Sequence, residues 1–296
     1  MYILLNEFCY KDKIQLKGNS TLNVKPFSEL NLNSDDKTQL DTVLLFQNKW
    51  DGNFRHFIKE TFYLLSYVYS ENFNDNGFHI MINKKYNKYT FQILEILELT
   101  KYIVFKEENH IYEINNLIYS NKTVNSHNNP DKNYTKMIDE LINNSKKLSN
   151  ITCYDKIYLS REHVDIFTET NTPKRWITNI KDATSIFYDK NYIQVIVDNL
   201  DFWDQVTLIN SATNIVTFIG ANCDNIAFAN KDAKFTMLYA SVHRGWGRWF
   251  NKNISYDGHE LLKYDDSVVY NPEFVDNDPV NGPYIANIEH LKSILQ

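Results

Sequence analysis

The sequence has few of the features that mark secreted or membrane proteins. Its three cysteines, Cys9, Cys153 and Cys223, have no paired spacing, which argues against a disulfide framework and against a cysteine-ligated zinc site. The apolar start, Met1–Leu5, is too short for the core of a signal peptide. No segment approaches the roughly 18 apolar residues of a membrane span. We therefore expect a cytoplasmic protein with reduced thiols and no integral membrane segment.

Blocks of basic residues are also missing. Lys and Arg number 31 against 37 Asp and Glu, so the formal net charge is −6. Consecutive basic residues stop at pairs, as at Lys84-Lys85 and Lys146-Lys147. A protein that binds nucleic acid through its phosphates needs a basic surface. The composition therefore argues against a nucleic-acid partner.

Glycine and alanine are scarce and unevenly distributed. The chain has 8 glycines and no Gly-x-Gly-x-x-Gly pattern, which argues against a dinucleotide-dependent enzyme such as a nucleotide-sugar epimerase. Five of the 8 glycines lie at or after Gly220, and the first alanine is Ala183. Small residues let a ligand approach the backbone closely, so this distribution favours the second half of the chain for ligand binding.

Strand and helix patterns alternate through the first half. Apolar runs predict strands at Asp41–Gln47, Phe78–Asn83 and Tyr102–Lys106. Apolar residues at helical spacing predict a helix capped by Asn53 and another at Tyr89–Leu99. This alternation is typical of βαβ units with a parallel sheet.

The same alternation returns after the polar segment Asn121–Lys132 and a helix with an apolar stripe from Tyr134 to Leu148. We predict strands at Lys156–Arg161, Tyr192–Val197, Asn214–Gly220 and Lys234–Ala240, and helices at Thr172–Phe187, Phe202–Ala212 and Ile285–Leu295. The fold class is therefore α/β, with two Rossmann-like domains at residues 1–149 and 150–296. The ligand is expected in the cleft between them, at the carboxyl ends of the strands. An alternative for the last helix is that it packs back on the N-terminal domain.

The first candidate site lies at the start of the first helix. His56 and Glu60 are four residues apart, so they share one helix face just beyond a strand end. Histidine changes its charge near neutral pH, so His56 is suited to take a proton from an incoming hydroxyl. The alternative is a helix-start histidine that packs among aromatic residues.

The second candidate site combines three cations. Arg161 ends a predicted strand, and Lys174 and Arg175 lie in the first turn of the next helix. Positive charge at a helix N-terminus opposes the helix dipole, so the pattern favours an anion bound there. Ordinary surface ion pairs with Glu162 or Glu169 are the alternative.

Two further segments attract attention. Between Gln205 and Asn225, a predicted strand ends in small residues and leads into a helix start, which lets backbone amides approach a phosphate or a sugar. The segment His243–Trp249 contains Arg244, Trp246 and Arg248, and suits a loop that stacks a sugar or base and pairs with an acid. The alternative for that loop is one held by its tryptophans in a domain interface.

In order and spacing, these segments resemble glycosyltransferase family 61. The first-domain signature of that family, Asn-aromatic-x-His-Phe followed by an acidic residue, matches Asn53, Phe54, His56, Phe57 and Glu60. Its second-domain features match Ser160, Arg161, Lys174, Arg175, Asn179, Phe202, Gln205, Leu208, Ala212, Gly220, Ala221 and Asn225.

The resemblance implies a GT-B architecture, with two Rossmann-like domains facing across a cleft. It implies an inverting transfer from a UDP sugar, such as UDP-N-acetylglucosamine or UDP-xylose, to a hydroxyl of a glycan, glycolipid or protein. His56 is the first choice for the catalytic base and Glu60 the second. The nucleotide sugar is a co-substrate, and no other cofactor and no metal ion is expected. The expected donor-binding residues are Arg161, Lys174, Arg175, Asn179, Gln205, Gly220, Ala221, Asn222 and Asn225.

The chain departs from the family at two positions. Ile219 stands where the family has a histidine, and Met237 stands where it has a glutamate. Both changes remove a polar contact that the family makes to the donor. An alternative function is therefore a glycan- or nucleotide-binding scaffold of the same fold with impaired catalysis. Because no signal peptide or membrane anchor is recognised, the chain is expected to resemble the bacterial or viral members of the family, which work in the cytosol.

Overall fold

The chain divides into two compact units. Unit 1 comprises residues 1–127 and 131–141, and unit 2 comprises residues 128–130 and 142–296. The division falls inside a helix, whereas the boundary expected from the sequence lies just after it. The computed structural model describes residues 2–4, 7–10, 24–26, 37–46, 54–84, 86, 88–107, 110–119, 132–160, 177–218, 220–240, 263–270 and 284–295.

Unit 1 is built on a seven-stranded sheet. Its strands are β1 (Tyr2–Leu4), β2 (Glu7–Tyr10), β3 (Val24–Pro26), β4 (Lys37–Leu45), β5 (Phe78–Asn83), β6 (Ile103–Lys106) and β7 (Ile111–Ile118). Their order is β3-β2-β1-β7-β4-β5-β6. The four strands from β7 to β6 are parallel, and β1 is antiparallel to both β2 and β7. The order β6-β5-β4-β7 is that of half a Rossmann fold, with a reversal of strand order between β4 and β7.

The helices of unit 1 follow its strands. After β4 the chain forms α1 (Phe54–His56), a π-helix (Phe57–Thr61) and a 3-10 helix (Phe62–Tyr69). α2 (Lys88–Ile96) lies between β5 and β6 in the chain, and α3 (Lys132–Leu148) comes after β7. The apolar spacing predicted α3 correctly, because its buried residues recur at helical intervals: Tyr134, Met137, Ile138 and Leu141.

Lys106, the last residue of β6, is a buried lysine. Only 3% of it is exposed, and within the described part of the chain its Nζ has no hydrogen-bond partner. Burial lowers the pKa of Lys106, because the low-dielectric surroundings disfavour the charged form. An unpaired buried ammonium is destabilising by several kcal/mol or loses its proton.

Replacing Lys106 by methionine is therefore expected to raise the free energy of unfolding by about 1–3 kcal/mol at pH 7. Because the folded-state pKa is lowered, the unfolded chain binds more protons between that pKa and the ordinary lysine value. The stability of the wild type therefore rises with pH across that interval, and the advantage of the variant shrinks. Urea unfolding at several pH values measures both effects. Lys146→Met, at an exposed lysine of α3, is the control and should show neither.

Unit 2 contains a six-stranded sheet. Its strands are β8 (Lys156–Leu159), β9 (Ile193–Val195), β10 (Asn214–Phe218), β11 (Lys234–Ala240), β12 (Lys263–Tyr270) and β13 (Tyr284–Ala286). Their order is β13-β12-β11-β10-β8-β9. All neighbours are parallel except β12 and β13, which are antiparallel. The strand order from β9 to β12 is that of a flavodoxin-like doubly wound sheet, which reverses between β8 and β10.

Helices cover both faces of the second sheet. α4 (Ile180–Asp189) and α6 (Ile288–Ile294) pack on one face, and their apolar residues share a core with Tyr158, Val216 and Leu238 of the strands. α5 (Phe202–Ser211) and a 3-10 helix (Ala221–Phe228) pack against each other, with the rings of Phe202 and Phe228 5.5 Å apart. The last helix, α6, thus contributes to the core of unit 2.

The α/β class predicted from the sequence is confirmed, but several elements differ. β7, β12 and the three short strands β1–β3 were not predicted. The helix predicted at Thr172–Phe187 begins at Ile180 instead, because Ile177 forms a β-bridge with Tyr284 and the backbone N–H of Thr178 donates to the Tyr284 carbonyl. The first turn of α4 therefore does not contain Lys174 or Arg175, contrary to the prediction from the sequence. The segment predicted as one helix at Ile285–Leu295 begins inside β13, where Tyr284 and Ala286 are buried and Ile285 is 40% exposed. This alternation is a strand pattern, not a helical one.

Among the helices that the structure describes, none combines the length and the apolar character that crossing a membrane requires.

Candidate functional site

The carboxyl ends of β8 and β10 lie where the strand order of unit 2 reverses. β8 separates β9 from β10, so the helices that follow β8 and β9 lie on opposite faces of the sheet. In open α/β sheets, ligands bind outside the carboxyl ends of the strands at such a reversal. Ser160 follows β8 directly, and Gly220 lies two residues after the end of β10. These two residues therefore mark the binding edge expected for the fold.

Ser160 is fully buried, and each of its polar atoms is engaged. Its backbone N–H donates to the carbonyl of Val195 over 2.8 Å, and its hydroxyl oxygen accepts from Gln194 Nε2 over 2.9 Å. Its carbonyl accepts from Asn222 Nδ2 over 3.2 Å. Gln194 is itself oriented by the hydroxyl of Tyr188, which donates to Oε1 over 2.7 Å. The end of β8 is therefore fixed by β9 on one side and by the turn after β10 on the other.

Three amide side chains link this strand end to α5, and we call them the amide chain: Gln205, Asn225 and Asn222. Gln205 Nε2 donates to Asn225 Oδ1, and Asn225 Nδ2 donates to the carbonyl of Asn222 over 3.1 Å. Asn222 Nδ2 then donates to the carbonyl of Ser160. Asn225 is fully buried and Gln205 is 7% exposed. Since buried amides are costly without partners, the amide chain holds the turn Gly220–Asn222 in place.

Apolar contacts anchor the 3-10 helix, whose first two residues belong to this turn. Cys223 Sγ lies 3.2 Å from Met237 Sδ, and both residues are buried. Leu238, the neighbour of Met237, belongs to the core on the α4 face, so Met237 points to the opposite face with Cys223. Met237 therefore packs in the core, at the position where the resemblance described above led us to expect a glutamate. Ile219 lies outside the described residues.

The structure brings together five of the residues expected to bind the donor. These are Gln205, Gly220, Ala221, Asn222 and Asn225, all at the turn after β10 or bonded to it.

Asn179 makes different contacts. Its Oδ1 accepts from the backbone N–H of Ala286 over 2.8 Å, and its Nδ2 donates to the carbonyl of the same residue over 3.0 Å. Asn179 precedes α4, so this pair of bonds ties the start of that helix to β13. Both polar groups of the side chain are thus engaged with backbone. Its role in donor binding stays a prediction.

In unit 1, His56 lies at the end of α1, after the carboxyl end of β4, and is half-buried. Aromatic rings position this segment. Phe57 packs on Phe46, at the end of β4, with 5.5 Å between ring centroids. Tyr89, in the first turn of α2, packs on Phe57 at 4.8 Å and on Phe54 at 5.5 Å. The π-helix begins directly after His56, and π-helical turns are frequent at functional sites.

Several predicted site residues cannot be placed. The backbone of Glu60 lies in the π-helix, but its side chain is outside the described part of the structure. Six others lie wholly outside the described residues: Arg161, Lys174, Arg175, Arg244, Trp246 and Arg248. Their roles stay predictions.

Sequence reasoning did not identify Gln194 as part of this arrangement. The one available signal was its place in an otherwise apolar strand, where a buried or half-buried amide needs a partner. The sequence alone does not reveal that the partner is Ser160, because the two residues lie on neighbouring strands far apart in the chain.

Within the described residues, no three His, Cys, Asp or Glu side chains gather in a way that could hold a metal ion. The expected independence from metal stays a prediction.

Comparison with known families gives the class of protein. The model of the family described as Glycosyltransferase 61 matches residues 54–236, which is more than half of the chain. The match begins at α1 and ends within β11, so it includes His56, the amide chain and the turn after β10. The chain therefore belongs to glycosyltransferase family 61, as the sequence predicted. A comparison with curated proteins finds no match.

Proposed function

We propose that the protein transfers a sugar from a UDP-linked donor to a hydroxyl of a glycan, glycolipid or protein, with inversion at the anomeric carbon. UDP-N-acetylglucosamine and UDP-xylose are the proposed donors, and unit 2 is the donor-binding unit of a GT-B pair. Unit 1 is the acceptor-binding unit. The observation that supports this assignment is the turn Gly220–Asn222, held by the amide chain at the strand-order reversal of unit 2.

The donor half of the proposed mechanism concerns the leaving group. As the bond between the anomeric carbon and the phosphate oxygen breaks, UDP takes the electron pair and negative charge grows on its β-phosphate. Arg161, Lys174 and Arg175 neutralise this charge, and backbone amides of the turn donate to the phosphate oxygens. These interactions strengthen as the charge develops, so they stabilise the transition state more than the ground state. This arrangement is proposed to work without a metal ion.

In the acceptor half of the proposed mechanism, the acceptor hydroxyl loses its proton. The acceptor hydroxyl oxygen attacks the anomeric carbon from the side opposite UDP, and His56 takes the hydroxyl proton. Glu60 is the second choice for this role. The aromatic contacts around Phe57 keep the His56 segment in position, which suits a residue that must align with a bound hydroxyl.

The function is tested with a panel of UDP, GDP and CDP sugars. We expect UDP and at least one UDP sugar to raise the melting temperature, because a ligand at 100 times its Kd stabilises the native state by about 2.7 kcal/mol. We also expect release of UDP in the presence of an acceptor. If no nucleotide raises the melting temperature, the proposal is wrong. Stabilisation without release from any donor and acceptor pair would instead support the binding scaffold, which the buried Met237 favours.

A further inference from the structure

Three aromatic rings of unit 1 lie nearly parallel at the surface. Tyr86 stacks with Phe91 at 5.8 Å and an interplanar angle of 24°, and with Phe105 at 6.2 Å and 28°. Tyr86 is 42% exposed and Phe105 is 41% exposed. Single exposed apolar residues are common, but contiguous exposed aromatic rings more often mark a binding surface. We call these three residues the aromatic platform.

The aromatic platform lies at the carboxyl edge of the unit 1 sheet. Tyr86 comes after the end of β5, Phe91 lies in α2, and Phe105 lies in β6. In β6, Val104 packs towards the core and Lys106 is buried, so Phe105 points to the other face of the strand. On that face its ring packs on Tyr86, and 41% of the residue stays exposed.

A pair of charged side chains lies just beyond the ends of β5 and β6, within two residues of Tyr86 and Phe105 along the chain. Lys84, just after β5, pairs with Glu107, just after β6, with 3.8 Å between Nζ and Oε1. Both side chains are more than half exposed and offer a donor and an acceptor to a ligand. A flat apolar surface with polar groups at its border matches a pyranose ring, which has an apolar C–H face and a border of hydroxyl groups.

The platform and the segment that carries His56 lie at the same carboxyl edge of the unit 1 sheet, because β4, β5 and β6 are parallel. Tyr89, in the first turn of α2, packs on Phe57, the residue next to His56, and Phe91 lies two residues further along the same helix. We propose that Tyr86, Phe91 and Phe105 bind a sugar ring of the acceptor, and this proposal rests on the proposed transferase function. The acceptor is then a carbohydrate, rather than the hydroxyl of a protein or of a lipid headgroup without a sugar.

The size of the surface argues against a protein partner. Two residues exposed to about 40% present roughly 120–200 Å² of surface, given that an aromatic side chain buries about 150–250 Å². Specific protein interfaces bury more than about 1,000 Å² in total. The smaller area instead fits one or two sugar rings.

The test measures saccharide binding to the full chain by saturation-transfer NMR. The probes are cellohexaose, chitohexaose and xylohexaose, and the variants are Tyr86→Ala and Phe105→Ala. We expect the wild type to bind at least one probe through one face of its sugar rings. Each variant should weaken that binding about tenfold, which corresponds to the loss of one ring contact. Tyr154→Ala is the matched control, because Tyr154 is 40% exposed but lies in unit 2, and it should bind like the wild type.

The outcomes separate the two proposals. If the wild type binds no saccharide, or if both variants bind as tightly as the wild type, the platform proposal is wrong. It is also wrong if sedimentation shows a dimer that Phe105→Ala dissociates, because the platform would then be a contact between copies of the chain. Failure of the transferase function appears separately, as the absence of UDP release and of stabilisation by UDP in the wild type. In active protein, the platform variants should raise the KM for the acceptor and leave the KM for the donor unchanged.

Discussion

Replacing His56 by alanine is expected to lower kcat by roughly 10²–10⁴-fold, the usual contribution of a positioned general base. The acceptor hydroxyl would then attack without losing its proton to the protein, so the chemical step becomes slow. The affinity for UDP should stay unchanged, because His56 belongs to unit 1 and the amide chain to unit 2. Steady-state kinetics with a UDP sugar, together with a UDP titration, measure both quantities.

His79→Ala is the control for this experiment. His79 is also a half-buried histidine of unit 1, but it lies near the start of β5, away from the carboxyl edge. We expect its kcat to stay within a factor of about three of the wild type, as for a substitution away from the reacting groups. If His56→Ala keeps near-normal kcat while Glu60→Gln loses it, Glu60 is the base and the assignment of His56 is wrong.

Replacing Asn225 by leucine is expected to lower the free energy of unfolding by about 2–4 kcal/mol. Leucine has the same number of side-chain heavy atoms as asparagine, with the same branching, but it cannot form hydrogen bonds. The change would leave Gln205 Nε2 without its bond to Asn225 Oδ1 and the carbonyl of Asn222 without its bond to Asn225 Nδ2. Chemical denaturation measures the loss. UDP affinity should fall as well, because the turn Gly220–Asn222 is no longer held from the side of α5.

Thr207→Val provides a control on α5, the helix that carries Gln205 of the amide chain. Thr207 is 8% exposed, and its buried hydroxyl has no hydrogen-bond partner in the described part of the chain. Removing that hydroxyl should leave the stability unchanged or raise it by about 1 kcal/mol. If Asn225→Leu is as stable as the wild type, the amide chain does not hold the turn. A loss of stability without any change in UDP affinity would show that the turn does not bind the donor.

The sequence predicted those elements whose apolar residues face one core. β5 was predicted with its observed bounds, and α5 and β10 to within two residues at each end. β7 was missed because polar residues interrupt its pattern. Its Asn115 donates to Asp41 over 3.0 Å, across the strand pair with β4. Such cross-strand pairs depend on a partner about seventy residues away, so one strand alone does not reveal them.

The candidate site shows the same division between local and distant information. The family pattern identified Gln205 and Asn225, because each lies in a short segment with a recognisable order, and the small and polar residues after the predicted strand added Asn222. It did not reveal that the three residues bond in series to the end of β8, since that depends on the register of β8 with β10. For Asn179, the sequence predicted a position inside a helix that begins at Thr172, whereas the residue directly precedes α4. Its bonds to Ala286 depend on β13, which the sequence did not predict.

The amide chain has a consequence for ligand binding, which follows from its direction. Every amide donates its N–H group towards β8, so no member can rotate by half a turn alone without bringing oxygen against oxygen or N–H against N–H. The side chains of the amide chain are therefore restricted to one set of rotamers, and they hold the turn Gly220–Asn222 in one conformation before any ligand binds. The conformational entropy of that arrangement is lost when the protein folds and not when the ligand binds, so the turn is preorganised.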